Sequence, residues 1–283
     1  MIDLHCHTLH SDGTDTPERL ALLGEAAHLS ALCLTDHDTL GGIPQFLAMQ
    51  PQVKVRLLVG TELSCRFLGQ SLHVLGLLVD PDDAVFQSRL EDLRGRREDR
   101  NQRMLLRLAE LGCPITQQDV QAQADTPLLS RVHFAMALAA RGFVRRAPEA
   151  FERLIGDDCP GFVPRDELSP TEAARWIREA GGVPVVAHPG RFIGGGFRWD
   201  DAMADLQRQG LEGLEAYYGE YRASEQKYFV TLAARLGMVV TGGSDYHGAN
   251  KPGLRLGRGR GGLQVPDDLL DRLETQQRIG RYH

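Results

Sequence analysis

The chain has 283 residues, 42% hydrophobic and 25% charged, with a formal net charge of −6. This is ordinary globular composition, long enough to bury a substantial core. The acidic balance excludes a nonspecific nucleic-acid coat, although a local basic pocket could still hold phosphate, and no run approaches the roughly 18 apolar residues of a membrane span. The first residues carry Asp3 and three histidines instead of a basic segment followed by an apolar run, so no secretory signal is expected. Five cysteines, odd in number and without a C-x-x-C pair, predict a reduced cytoplasmic protein.

In chain order, MIDLHCH is the first strand-like run. A helix opened by Thr16 and Pro17 follows, then ALCLTDHD, another helix, and the runs VRLLVGTEL and SLHVLGLLVD. After an interruption the alternation resumes with GGVPVVAHP, a helix, LEGLEAYYG, a helix, and GMVVTGGSDYHG. Strands separated by helical stretches predict a mostly parallel sheet, and this many in one domain predict an α/β architecture of the distorted (β/α) TIM-like barrel type. The interruption shows helical spacing at Leu90, Leu93, Met104, Leu108 and Leu111. It also has a cap at Ser130 for a helix stopping at Gly142, and punctuation at Pro127, Pro148 and Pro160. It predicts a helical insertion over 82–164, with the barrel over 1–81 and 165–283. Ser169 as N-cap, Pro170 and Glu172 predict the helix start that follows.

In parallel barrels the active site is built at the C-terminal ends of the strands. Each strand-like run before or after the interruption, LEGLEAYYG apart, ends in or contains a candidate ligand: His5 and His7, Asp36 and His37, Glu62, His73, His188, Asp245 and His247. His5 and His7 are two residues apart, so their rings share a face while Cys6 points the other way. The same spacing joins Asp245 to His247, and a barrel brings the first and last strands together. A lone histidine in an apolar strand reads as a hydrogen-bonded core residue, but the coincidence at six strand positions changes that weighting. His10, His28 and His283 read as surface residues; Asp3 shares a face with His5 and reads as its support. Imidazole and carboxylate donors without thiolate suit manganese, zinc or iron. With Asp12 added and Asp36, which reads as a neighbour of His37, set aside, nine such ligands remain, more than one ion can use. Three divalent ions against three carboxylates leave a site net positive by about three charges, which attracts a phosphate ester.

DLHCHTLHSDG, TDHD, the Glu62 of GTELS, His73, the AHP containing His188, and SDYHG resemble the ordered motifs of the PHP (polymerase and histidinol phosphatase) superfamily, relatives of the amidohydrolases; they span residues 3 to 247. The resemblance implies a distorted β/α barrel with a trinuclear site. In it His5, His7, Glu62 and Asp245 hold one metal, Glu62 bridges to a second held by His73 and His188, and Asp12, His37 and His247 hold the third. It implies a hydrolase using two to three divalent ions per chain, manganese first and zinc or iron as alternatives. A metal-bridging hydroxide, held by Glu62, His188, Asp245 and His247, would attack phosphorus in line without a covalent enzyme intermediate.

The insertion, with its SRVHFAMAL segment, resembles a branch that includes 3′,5′-nucleotide bisphosphate phosphatases and 5′-to-3′ exoribonucleases. Arg131 and His133 at a helix start are candidates for a phosphate held with the help of the helix N-terminus, and the insertion is expected to contribute to the substrate pocket. Arg191, three residues after His188, is a stronger candidate phosphate contact than Lys251 or Arg255, which are candidates too but for which a solvated loop is the preferred reading. Tyr217 either stacks on a base or packs in the wall. Arg89, Arg96, Arg100, Arg103 and Arg107 lie among acidic residues and read as a solvated, salt-bridged face rather than an RNA track. CPGFVPR fits a C-x5-R phosphatase signature, but Pro160 and Pro164 cannot donate N–H groups to a phosphate. Gly257, Gly259 and Gly262 fit G-x-G-x-x-G without the strand–helix–strand unit that dinucleotide binding needs.

The resulting expectation is a phosphomonoesterase releasing the 3′-phosphate of nucleoside 3′,5′-bisphosphates. A 5′-to-3′ exoribonuclease on short 5′-phosphorylated RNA is the alternative. A histidinol-phosphate-type phosphatase or a noncatalytic metal-binding module comes behind both, and the complete ligand set argues against the last. The partner is then a small phosphorylated nucleotide or short RNA, with no membrane and no stable protein partner.

Overall fold

Seven strands line up in chain order in one sheet: β1 (Ile2–Asp3), β2 (Ala31–Leu34), β3 (Arg56–Phe67), β4 (Gln70–Leu77), β5 (Val183–Val186), β6 (Gly213–Tyr218) and β7 (Val239–Gly243). The computed structural model describes residues 1–124, 128–164, 166–191, 198–259 and 262–280; Pro127, Arg165 and His283 lie outside them. Pairing is parallel except for β3–β4 and β4–β5, so β4 alone runs against its neighbours. The sheet is mostly parallel, as expected, and β4 is the exception because only Leu68 and Gly69 separate it from β3, too few residues for a crossover; both have positive φ. The sheet curls back on itself. Leu4 N donates to Gly242 O at 3.1 Å, Asp245 N to His5 O at 2.9 Å and His7 N to Tyr246 O at 2.9 Å, joining the first strand to the last.

The α-helices among the described residues are α1 (Pro17–Ala26), α2 (Ile43–Leu47), α3 (Ala84–Glu110), α4 (Gln117–Gln121), α5 (Arg131–Ala140), α6 (Ala147–Ala150), α7 (Pro170–Glu179), α8 (Trp199–Arg208), α9 (Ala223–Leu236) and α10 (Asp268–Gly280). Helix α1 starts where Thr16 accepts from Arg19 N, with Pro17 in the first turn; α7 starts with the Ser169–Glu172 capping box. Strands β2 and β5 are buried at every residue, as expected of strands covered on both faces. Leu20, Ala21, Ile43 and Phe46 of α1 and α2 cover one side of the sheet, and Leu269, Leu270 and Leu273 of α10 pack with Ile2, Val183 and Val185.

The chain divides into two compact units, Met1–Arg89 with Glu167–His283, and Leu90–Asp166. The start of α3 belongs to the barrel unit, where Phe86 is buried and the Arg89 guanidinium lies over the Trp176 ring at 5.3 Å. The second unit is helical around a core of Met104, Leu108, Phe134 and Leu138. Arg100 departs from the solvated-face reading: it is buried together with Arg97 and Asn101 on the inner side of α3. Gly257 and Gly259 serve packing. Gly257 has φ +65° and its N–H reaches Asp3 at 2.8 Å, and a Cβ on Gly259 would come within 2.1 Å of Gly219 O.

Candidate metal centre

Three backbone features deliver the side chains. The stretch after β1 is extended, so the His5 and His7 rings turn to one side while the Cys6 thiol turns to Cys33 O on the other. Beyond β2 the chain still pairs with β3: Glu62 N donates to Asp36 O and Asp38 N to Glu62 O, setting His37 beside Glu62. In the β3–β4 hairpin His73 pairs with Ser64 and so lies diagonally from Glu62. His188 and Asp245 sit in left-handed backbone, at φ 28° and 55°, just past the ends of β5 and β7. Past the left-handed Asp245 the chain still bridges the first strand through Tyr246 and Cys6, and Asp245 and His247, on either side of that bridge, reach the same centre. Non-glycine residues held in left-handed backbone mark places where the surroundings impose the geometry. Gly243, before that bridge, must lack a side chain, since a Cβ would come within 2.4 Å of the His5 Cβ.

Glu62 is the hub. Its Oε2 lies 3.2 Å from Nε2 of His5, 3.2 Å from Nε2 of His7 and 3.3 Å from Nδ1 of His37. Its Oε1 lies 2.9 Å from both His73 Nδ1 and His188 Nε2. Asp245 Oδ1 is 3.4 Å from His7 Nε2 and 3.3 Å from His247 Nδ1. Asp12, 36% exposed, approaches His247 Nε2 at 3.2 Å and His37 Nε2 at 3.6 Å. Among the described residues, four overlapping groups arise in which one ligand atom per residue lies within 4.8 Å of the others: His7, Asp12, His37 and His247; His5, His7 and Asp245; His5, Glu62 and His188; His37, Glu62 and His73. A cation fits this donor set. Nε2 of His5 and Nε2 of His7 face each other at 3.1 Å, and the buried His37 Nδ1 makes no hydrogen bond, so ring lone pairs point at shared space.

The candidate ligands shift one another's protonation, the carboxylates downward and His7 upward. Burial would raise the Glu62 carboxyl, but His37, His5 and His73 hold it well below the usual carboxylate range. Asp245 is likewise held down, against its burial, by His5, His7 and His247. Burial disfavours charge on His7, yet Asp245, Glu62 and Asp12 raise it to about 9. At His37 burial wins, lowering the ring to about 3.

Sequence reasoning missed Glu215 and Tyr218. Glu215, fully buried, accepts from His5 Nδ1 at 2.9 Å and from His188 N at 2.6 Å, which leaves His5 Nε2 as the inward atom. Tyr218 donates to Asp245 Oδ2 at 2.7 Å, whereas Tyr217 is half-buried against the hydrophobic core. A register shift between Glu215 and Tyr217 breaks the alternation and lets both Glu215 and Tyr218 serve the centre. Glu215→Gln is expected to keep the fold and to weaken metal affinity about 10- to 100-fold by loosening the His5 tautomer; calorimetric titration with Mn²⁺ showing wild-type affinity would refute that role.

Asp36 accepts from Thr8 N, Thr8 Oγ1 and Ser11 Oγ at 2.6 to 2.7 Å, and so shapes the loop carrying Asp12. Asp38 accepts from Ser64 N at 2.8 Å. Asp3 accepts from Ser244 N and His5 N, fixing backbone on both sides of the centre. Arg191 Nη1 lies 3.5 Å and Lys251 Nζ 2.5 Å from Asp245 Oδ2, so Lys251 is not confined to a solvated loop. Arg131 and His133 belong to the helical unit, where Arg131 pairs with Asp157 and His133 Nδ1 accepts from Ser130 N.

Residues 3–110 match the family model described as the PHP domain. A 3′,5′-nucleoside bisphosphate phosphatase of Chromobacterium violaceum is 31% identical over 257 residues, 90% of each chain. A 5′-3′ exoribonuclease of Haemophilus influenzae is 29% identical, covering 87% of this chain and 89% of its own. A solved structure from Bifidobacterium adolescentis, assigned as a metal-dependent phosphoesterase, superposes with a TM-score of 0.77 at 31% identity, over 97% of this chain and 96% of that one.

Proposed function

Because the chain belongs to the PHP family and is a metal-dependent phosphoesterase, we propose that it hydrolyses the 3′-phosphate of nucleoside 3′,5′-bisphosphates to the 5′-monophosphate and phosphate. The observation that carries this reading is the sharing of the two Glu62 oxygens among five imidazoles, in a chain matched over 90% of its length by a bisphosphate phosphatase. Two to three divalent ions, manganese foremost, are the proposed cofactors, with His5, His7, Asp12, His37, Glu62, His73, His188, Asp245 and His247 as ligands. Such ions lower the pKa of water and neutralise phosphate oxygens when bound.

The chain's own residues supply the rest. Glu62 faces imidazoles with both oxygens and so can span two neighbouring positions. Glu215 fixes the His5 ring, and Asp36 and Asp38 fix the loops that carry Asp12 and His37. Arg191 and Lys251 place positive charge at the outer oxygen of Asp245, where a phosphoryl oxygen can be bound. Among the described residues no helix is long and apolar enough to cross a membrane. The proposed compartment is the cytoplasm, where the five cysteines stay reduced.

The exoribonuclease relative favours a second reading, stepwise release of mononucleotides from short 5′-phosphorylated RNA by the same centre. The deciding experiment supplies Mn²⁺-loaded protein with adenosine 3′,5′-bisphosphate and, separately, with a 5′-phosphorylated oligoribonucleotide. Phosphate release from the bisphosphate is expected; turnover of the oligonucleotide alone would sink the phosphatase reading.

A further inference from the structure

We propose that Tyr221 and Tyr218, at the corner between β6 and α9, are positioning residues that hold Arg191 as a fixed cation beside Asp245 to bind the substrate's phosphoryl oxygens. The inference rests on the phosphoesterase reading and assigns work to two residues outside the ligand set. Arg191 ends a single turn, Pro189–Arg191, that leaves the ligand His188 through an Arg191 N to His188 O hydrogen bond of 2.9 Å. A short turn with a long, half-exposed side chain does not by itself fix a guanidinium.

Two contacts do. The Gly190 N–H donates to the Tyr221 hydroxyl, pinning the backbone one residue before Arg191. Arg191 Nη1 donates to the Tyr218 hydroxyl at 3.1 Å, and that hydroxyl donates onward to Asp245 Oδ2 at 2.7 Å. The arginine, the phenol and the carboxylate thus form one hydrogen-bonded chain, in which each link polarises the next.

The surroundings are shaped for this. A Cβ on Gly190 would lie 2.8 Å from Cε1 and 2.9 Å from the hydroxyl of Tyr221, so only glycine lets the ring lie against that backbone. The Tyr221 ring packs against Tyr218, centroids 4.9 Å apart, and stacks on Phe229 at 5.2 Å; Tyr218 in turn meets the edge of His188 at 5.5 Å. Both tyrosines are buried, which holds their rings and hydroxyls in place. Arg191 keeps half of its side chain exposed beside the centre, open to a ligand. A planar guanidinium fixed at one edge presents its remaining donors as a fork matched to a phosphate.

The test uses the full, Mn²⁺-loaded chain and reads metal content, the dissociation constant of inorganic phosphate, and KM and kcat on adenosine 3′,5′-bisphosphate. Tyr221→Phe removes a hydroxyl and leaves the ring packing. It is expected to retain wild-type metal content, to raise both the phosphate dissociation constant and KM about 5-fold, and to change kcat less than about twofold, as loss of one positioning hydrogen bond predicts. In an Arg191→Met background the same substitution is expected to add nothing. Unchanged phosphate affinity in Tyr221→Phe, or an equal loss with and without Arg191, would overturn the proposal. Should Tyr221→Phe fold poorly, Tyr218→Phe with the same Arg191→Met cycle decides it by the same criterion. If the wild-type protein releases no phosphate from the bisphosphate, the substrate reading falls, while the inorganic-phosphate arm still decides the role of the tyrosines.

Discussion

Glu62→Gln is expected to leave a folded protein that holds at most one metal ion per chain and hydrolyses its phosphate ester at least about 10³-fold more slowly. The substitution keeps the size of the side chain. It replaces one of two oxygens that each face more than one imidazole with an amide nitrogen that can only donate. An amide group cannot neutralise two neighbouring cations, and its N–H atoms would face ring nitrogens needed as ligands. The other eight ligands remain, so partial loading separates a broken bridge from a collapsed site. Metal analysis after gel filtration, circular dichroism and phosphate release together check the prediction. Wild-type metal content and a rate within twofold would remove Glu62 from the centre of the scheme.

The strands and most of the side chains that meet at the candidate centre could be read from the chain because both follow local rules. Apolar runs of strand length mark β2, β3, β4 and β5, and His5 with His7 obey a two-residue period that the folded backbone keeps. The capped starts at Thr16 and Ser169 are similarly local, since each is a side chain closing on an N–H three residues away. What escaped is what depends on departures from period or on partners far away in the chain. Nothing in LEGLEAYYG announces the register shift that carries Glu215 and Tyr218 to the centre and leaves Tyr217 in the wall. An alternating reading of that strand puts Glu215 and Tyr217 together and sends Tyr218 to the opposite face.

The same reasoning explains two other departures. Asp245 and His247 satisfy a two-residue period, yet β7 ends at Gly243 and Asp245 is left-handed; the spacing stays informative because Tyr246 between them bridges Cys6. Arg100 stands in a stretch dense in charge, where helical spacing puts most side chains in water, but it lies on the buried side of α3 with Arg97, Asn101 and Met104. Charge density along a helix describes its average environment, while burial of one residue is decided by which face its neighbours cover.

The second large effect is on stability. Removing divalent metal with a chelator is expected to lower the midpoint of thermal unfolding by roughly 10 °C or more, and restoring Mn²⁺ to recover it. An ion present at a thousandfold excess over its dissociation constant adds about 4 kcal/mol per site, and a chain of this size shifts by about 2 to 4 °C per kcal/mol. The shift should also grow with pH, and its sign follows from the imidazoles. Ligand histidines must be neutral to bind metal. Without metal the carboxylates raise His7 to about 9, so below that pH a proton competes with the ion. That proton stabilises the metal-free fold fully below the ordinary histidine value of about 6.5, and its contribution fades as pH rises through about 9. Raising pH from 6.5 to 8.5 therefore weakens the metal-free fold and strengthens metal binding, and both widen the gap between chelated and loaded protein. His37, lowered to about 3 chiefly by burial, stays neutral over this window and adds no opposing proton. Differential scanning fluorimetry with and without chelator at the two pH values reads the effect. A gap that narrows toward pH 8.5, or no gap at all, would show that these imidazoles do not bind metal in the folded chain.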